Sequence, residues 1–323
     1  MSTSLALAET PALDPFSAKE EFLADCRLRG LSPKTVEWYK YALEPFIRFA
    51  FARGETDVDS VTEGTVRAFL SEQSAHVRPR RVDHYRQAIT RFYKWLIAEG
   101  CTEENPAAHL KKIREPRRLV NTFNEAELEA LLAQPDTGTF LGRRDHVFML
   151  LLLDTGLRLS EALGLRLCDL DLHNGTMRVL GKGSKERLVG FSPVMEHHLR
   201  RYMTRREVAL AGIGKGNNVW LFPNQQGDQG GSKGYQMRLK RYGGAAGISR
   251  VRVSPHTFRH TFALWFVRNG GSPFHLQKIL GHASLDISRR YCELANVDFL
   301  ASQRELSPLA MTDLGAGGRK RLR

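Results

Sequence analysis

Residues 176–191 read Thr-Met-Arg-Val-Leu-Gly-Lys-Gly-Ser-Lys-Glu-Arg-Leu-Val-Gly-Phe. Polar and apolar side chains alternate on either side of Gly181-Lys182-Gly183-Ser184-Lys185, so the stretch predicts a β-hairpin with strands over Thr176–Leu180 and near 188–191. Elsewhere the apolar residues recur at helical spacing. The fold class is therefore mainly α with one small β-hairpin or sheet.

Upstream of the hairpin, residues 147–153 form the longest apolar run, seven residues between His146 and Asp154. A bilayer span needs roughly 20, so this is a buried helix segment. Further back, Asn124 is placed as an N-cap with Glu127 three residues on, and Phe123 and Leu128 occupy hydrophobic-staple positions. Downstream, Ser192-Pro193 starts a helix, Gly227 to Gly234 reads as a flexible loop, and helices resume at Ser254-Pro255 and near Ser284.

The first third is helical from Phe16 to about Gly100. Ser32-Pro33 is an N-cap followed by proline at the first helical position, with Val36, Tyr39, Leu43, Phe46, Ile47 and Ala50 behind it. Thr62 caps a shorter piece, and Val82, Tyr85, Ile89, Phe92 and Leu96 mark another helix. With 323 residues, the chain suits two domains at roughly 150 residues each. The predicted order is a flexible arm over 1–15, a helical domain over 16–104, a linker over 105–120, a mixed α/β domain over 121–307 and a flexible basic tail over 308–323.

Forty-eight Lys plus Arg against 35 Asp plus Glu leave a formal charge of +13 at pH 7. A field of that sign draws polyanions, nucleic acid first among them. Between Arg78 and Arg118, 11 basic residues face five acidic ones, so the linker region is a candidate strap along a phosphate backbone; a solvated tether is the alternative.

Several function classes drop out. Cys26, Cys101, Cys168 and Cys292 contain no CxxC pair, which argues against a zinc ribbon or disulfide framework and for a reducing, cytoplasmic compartment. The first fifteen residues have no basic stretch before an apolar core, so neither a secretory signal nor a membrane partner is expected. Gly212-Ile213-Gly214-Lys215-Gly216 lacks the earlier glycine and following Ser/Thr of a phosphate loop. His256 and His260 are four apart, but position 257 is Thr rather than the Glu of a zinc-protease helix. No cofactor or metal is expected.

One set of residues converges: Arg158, Lys182, His256, Arg259, His282 and Tyr291. Singly, each has a structural explanation, such as a surface ion pair for Arg158 or half-buried packing for Tyr291. His256 and Arg259, three apart, share a helix face. The strings that carry them are Thr-Gly-Leu-Arg-Leu-Ser-Glu at 155–161, Gly-Lys-Gly-Ser-Lys-Glu-Arg at 181–187, Ser-Pro-His-Thr-Phe-Arg-His at 254–260, Leu-Gly-His at 280–282, and a tyrosine nine residues later. In that order they closely resemble the tyrosine recombinases, or phage-integrase family, most nearly its bacterial Xer-type members.

The resemblance implies a two-domain, C-shaped DNA clamp: a helical SAM-like core-binding domain over 16–104 and a catalytic domain over 121–307. It implies that Tyr291 attacks a DNA phosphodiester and leaves a 3′-phosphotyrosyl link. Arg158 and Arg259 would grip the nonbridging oxygens, which suits their planar forks. Lys182 would protonate the departing 5′-hydroxyl, His256 would take the tyrosine proton or orient the phosphate, and His282 would hydrogen-bond the phosphate. Lys185 is a rival to Lys182, and Tyr235 and Tyr242 are rivals to Tyr291.

The implied partner is double-stranded DNA carrying specific recombination sites, met by a homo- or hetero-tetramer in the bacterial cytoplasm at the nucleoid. The apolar residues Leu294, Val297, Phe299 and Leu300 resemble a C-terminal element that docks on a neighbouring protomer; packing within the chain is the alternative. Two other readings of the same residues are a type IB topoisomerase, which swivels one duplex, and a noncatalytic DNA-binding protein of the same fold.

Overall fold

The computed structural model describes residues 13–113, 121–181, 185–282 and 284–295. The chain divides into two compact units, Met1–Arg118 and Leu119–Arg323.

Among the described residues the first unit holds four helices: α1 (Pro15–Leu28), α2 (Pro33–Ala52), α3 (Glu63–His76) and α4 (Pro79–Ala98). Three of them open on a side-chain cap. Asp14, Ser32 and Thr62 accept the backbone N–H three residues on, from Ser17, Thr35 and Thr65, and so satisfy donors that the first helical turn leaves free. Helix α1 begins at Pro15, one residue inside the expected arm, because Asp14 caps it. The core is aromatic. Phe69 meets Phe46 and Tyr85 edge-on, each with ring centroids 5.4 Å apart, and Phe22 meets Phe92 at 5.6 Å.

Part of the expected linker belongs to this unit. Asp83, buried on α4, accepts the backbone N–H of Ile113 at 3.1 Å, and Asn105 donates to the Thr90 carbonyl at 3.1 Å. Residues 105–113 therefore lie against α4, and residues 114–120 fall outside the described residues.

The second unit contains α5 (Glu125–Leu132), α6 (Phe140–Thr155), α7 (Leu159–Leu163), β1 (Leu170–Asp171), β2 (Thr176–Leu180), β3 (Glu186–Gly190), α8 (Pro193–Ala211), α9 (Ser232–Ala245), α10 (Pro255–Arg268), α11 (Pro273–Leu280) and α12 (Leu285–Ala295). The expected capping box at Asn124 is present: Asn124 accepts from the Glu127 N–H at 2.8 Å while the Glu127 carboxylate accepts from the Asn124 N–H at 3.0 Å. Strands β2 and β3 pair antiparallel, with Val179 opposite Arg187, and β1 adds a short third strand on the other side of β2. Met177, Val179 and Val189 face the core, whereas Leu180 and Leu188 face outward.

Two elements of the second unit also differ from expectation. Helix α9 starts at Ser232, so the glycine-rich loop ends before Gly234; Tyr235, Leu239 and Tyr242 give this segment a buried helical face that outweighs its glycines. The hairpin's second strand begins at Glu186, two residues earlier than expected, because its register follows β2 rather than its own apolar residues.

A buried polar cluster ties α6 to α9. Arg144, 1% exposed, donates to Asp145 at 2.7 Å and to the Pro223 carbonyl at 2.7 Å, while the Tyr242 hydroxyl donates to the other Asp145 oxygen at 2.9 Å. Tyr235 packs its ring under the guanidinium of Arg144. Among the described residues no helix is long and apolar enough to cross a membrane.

Candidate active site

The site grows from the end of α6. Its last residue, Thr155, is followed by Gly156 in the left-handed region at φ +63°, and the chain turns at once into Leu157 and Arg158. A Cβ on Gly156 would sit 2.4 Å from a ring carbon of Phe262 and 2.7 Å from Leu280, so α10 and α11 close directly on this turn. Arg158 then caps α7, its backbone N–H donating to the Glu161 carboxylate at 2.9 Å.

Three guanidiniums gather at the C-terminal end of α11. Arg259, from α10 and 6% exposed, donates to the Gly156 carbonyl at 2.8 Å and the Leu280 carbonyl at 2.7 Å. Arg158 donates to the Leu280 carbonyl at 3.3 Å and the Gly281 carbonyl at 3.2 Å, and Arg187, from β3, donates to the Ile279 carbonyl at 2.8 Å. These are the carbonyls that a helix leaves unpaired at its end, where the helix dipole is negative and favours cations. Gly281, at φ +62°, ends α11 so that its own carbonyl can join them.

One carboxylate serves this group. Glu161 accepts from Arg158 Nη1 at 2.8 Å and from Arg187 Nη1 and Nη2 at 3.1 and 2.9 Å. Burial pushes its pKa up, but hydrogen bonds from Arg187 and Arg158 outweigh that and hold it below the ordinary value. Three guanidiniums and one carboxylate leave two positive charges uncompensated. Burial, and then the charge of Arg158, lowers Arg259 to about 10, which means that an anion placed here would relieve the cluster.

The histidines line the same ground. His256 sits exposed at the start of α10, its pKa lowered by desolvation and then by Arg259 and Arg158. His282 follows Gly281 and is lowered to about 4 by burial, then by Arg259 and Arg158, so it is neutral at pH 7. Its Nδ1 lies 3.1 Å from the buried Ser288 hydroxyl. We assign Ser288 as the donor in this pair, which puts the ring proton on Nε2.

Tyr291, on α12, is 3% exposed among Ala263, Leu264, Val267, Leu276 and Leu280. Its hydroxyl is 2.6 Å from Nδ1 of His260. Burial pushes the phenol pKa up against the opposing charges of Arg259 and Arg290, while burial and then His256 and Arg259 lower His260 to about 4. The proton therefore rests on the phenol, which donates to a neutral imidazole.

Of the residues singled out in the sequence, Arg158, His256, Arg259, His282 and Tyr291 share one neighbourhood. Lys182 lies outside the described residues, as do Val297, Phe299 and Leu300. The phenol's hydrogen bond goes to His260 rather than to His256. Tyr235 and Tyr242 belong to the α6–α9 packing, and Lys185 is exposed beside the hairpin turn. Glu161, Arg187, His260 and Ser288 were assigned no role from the sequence. The available signal was Glu161, an acid three residues after Arg158 at a helix start, a capping-box spacing.

Similarity to known proteins identifies the family. Residues 121–297 match the phage integrase family, and residues 19–103 match the phage integrase N-terminal SAM-like domain. Tyrosine recombinase XerD of Lacticaseibacillus casei is 32% identical over 280 residues, covering 87% of this chain and 94% of the relative. Tyrosine recombinase XerC of Myxococcus xanthus is 33% identical over 286 residues, covering 88% and 93%. The crystal structure of the XerH site-specific recombinase bound to its difH substrate, a pre-cleavage complex, superposes with a TM-score of 0.66 at 26% identity, covering 87% of this chain and 84% of that one. On the span and identity of these matches, the chain belongs to the phage integrase family, the tyrosine recombinases.

Proposed function

We propose that this protein is a site-specific DNA recombinase in which Tyr291 attacks the scissile phosphorus. The bond from the phenol oxygen to phosphorus forms as the bond to the 5′-oxygen breaks, leaving a 3′-phosphotyrosyl link and a free 5′-hydroxyl. Attack by a second 5′-hydroxyl reverses the step on a new partner strand. The link stores the energy of the broken bond, so rejoining needs no high-energy cofactor.

Negative charge grows on the nonbridging oxygens as the fifth oxygen approaches, and Arg158 and Arg259 are the groups to meet it. The observation that carries this reading is their convergence on the end of α11 with two charges uncompensated and Tyr291 packed alongside. His260 holds the phenolic proton's hydrogen bond and is the nearest base to receive it. His282, with its proton on Nε2, is a donor to phosphate. Lys182 is proposed as the acid for the leaving 5′-oxygen, and His256 as a phosphate-orienting group. Because Tyr291 is covered here, α12 must shift when DNA binds.

DNA is the substrate on the charge and the family. In the first unit, Arg80, His84, Gln87, Arg91 and Lys94 recur at helical spacing on the outer side of α4, with no acid among them. The working form is proposed as a tetramer joining two duplexes in the bacterial cytoplasm. The test is relaxation of a supercoiled plasmid with and without paired sites. Recombinant product only with paired sites is expected; relaxation of any plasmid without product would mark a topoisomerase.

A further inference from the structure

We propose that Arg187 is a positioning residue for the phosphate clamp, acting on Arg158 through Glu161. The proposal rests on the reading of this site as a DNA-cleaving centre. Arg187 is turned inward: its side chain is 16% exposed, against 37% for Arg158, and it spends both fork nitrogens on Glu161 and Nε on the Ile279 carbonyl. All three of its guanidinium nitrogens are taken up by Glu161 and the Ile279 carbonyl, so it fixes what Glu161 can do.

A buried carboxylate with a single arginine nearby takes that arginine as a two-pronged partner and cancels its charge. Here Arg187 occupies Glu161 two-pronged instead. The Arg158 guanidinium is left one carboxylate contact, through Nη1, while its Nη2 donates to the Gly281 carbonyl. With Arg187 present the cluster of Arg158, Arg259, Arg187 and Glu161 carries two net positive charges; without it, one. Arg187 thus offsets Glu161, so that Glu161 can orient Arg158 without neutralising it.

The test uses the full chain and a nicked duplex selected from a random-sequence library by binding to this protein. The scissile phosphate is either native or a methylphosphonate, in which a methyl group replaces one nonbridging oxygen and removes the negative charge. Arg187→Gln is expected to bind the duplex as wild type does and to slow formation of the covalent complex about 10- to 100-fold on native phosphate, less than loss of a direct donor. On the methylphosphonate the loss should shrink to within about 3-fold, since the transition state there carries one negative charge fewer for Arg158 to meet. Adding Glu161→Gln to Arg187→Gln restores the net charge and should recover part of the rate on native phosphate.

Equal losses on both substrates, lost DNA binding, or a double variant slower than Arg187→Gln would overturn the proposal. If Arg187→Gln shows no cooperative thermal unfolding, Arg187→Lys decides by the same pair of substrates, its smaller loss again confined to the charged phosphate. Failure of wild type itself to form a covalent complex on a duplex it binds would instead remove the underlying reading of the site.

Discussion

At the scale of single residues, function depends on side chains whose partners come from distant parts of the chain. The convergence of Arg158 and Arg259 was legible because their motifs are distinctive. The contacts of Arg187, His260 and Ser288 were not, because each is made 6 to 31 residues away: His260 to Tyr291, Ser288 to His282, Arg187 to Glu161. Lysine at either clamp position keeps the charge but loses the fork, so Arg259→Lys is expected to cut covalent-complex formation by about 10²- to 10³-fold with DNA affinity retained. A loss under tenfold in single-turnover cleavage would contradict the clamp.

The histidines make a second residue-scale prediction. His260 and His282 are both lowered to about 4 in the folded chain, against an ordinary value of about 6.5. Between those values the unfolded chain binds protons that the folded chain does not. Stability is thus undiminished above about pH 6.5 and is lost as pH falls toward 4. The thermal midpoint should drop across that window, and His260→Gln should flatten the drop; an unchanged slope would show that His260 is not held neutral.

At the scale of elements, caps and turns were the most readable features. The starts of α2, α3, α5, α8 and α10 carry Ser, Thr or Asn caps at the expected positions, because capping is a local hydrogen bond that a short string fully specifies. Helix α11 has the same start signal in Ser272-Pro273, but with eight residues it offers too few turns for a periodic pattern. Strand β1 leaves no pattern in the sequence, because its two residues are strand only by pairing with β2.

The turn between α6 and α7 is the element on which the site depends most. Gly156→Ala combines a left-handed backbone with contacts on Phe262 and Leu280 that leave no room for a methyl group. A loss of more than about 2 kcal/mol in denaturant unfolding is expected. A near-neutral result would mean that α10 and α11 do not close on Gly156 as described. Asn124→Ala, which removes only the capping box of α5, should cost about 1 kcal/mol by the same measurement.

At the scale of the whole molecule, the excess of 13 positive charges and the two-unit division were both visible in the sequence. Asp83 and Asn105 hold residues 105–113, expected as linker, against α4 through contacts that composition does not reveal. Charge makes the affinity prediction. Replacing Arg80, Arg91 and Lys94 with Ala should weaken DNA binding and reduce the slope of log affinity against log salt by roughly 0.9 for each phosphate contact removed. An unchanged slope would take the outer face of α4 out of the DNA interface.

The central claim is that the Tyr291 oxygen becomes bonded to DNA phosphorus. The most direct measurement is to trap the complex on a nicked duplex whose short released strand diffuses away, digest it, and identify the peptide that carries the nucleotide. The expected result is a 3′-phosphate ester on Tyr291, with Tyr291→Phe binding the same duplex and giving no covalent product. Attachment at any other side chain, or a covalent product from Tyr291→Phe, would contradict the account.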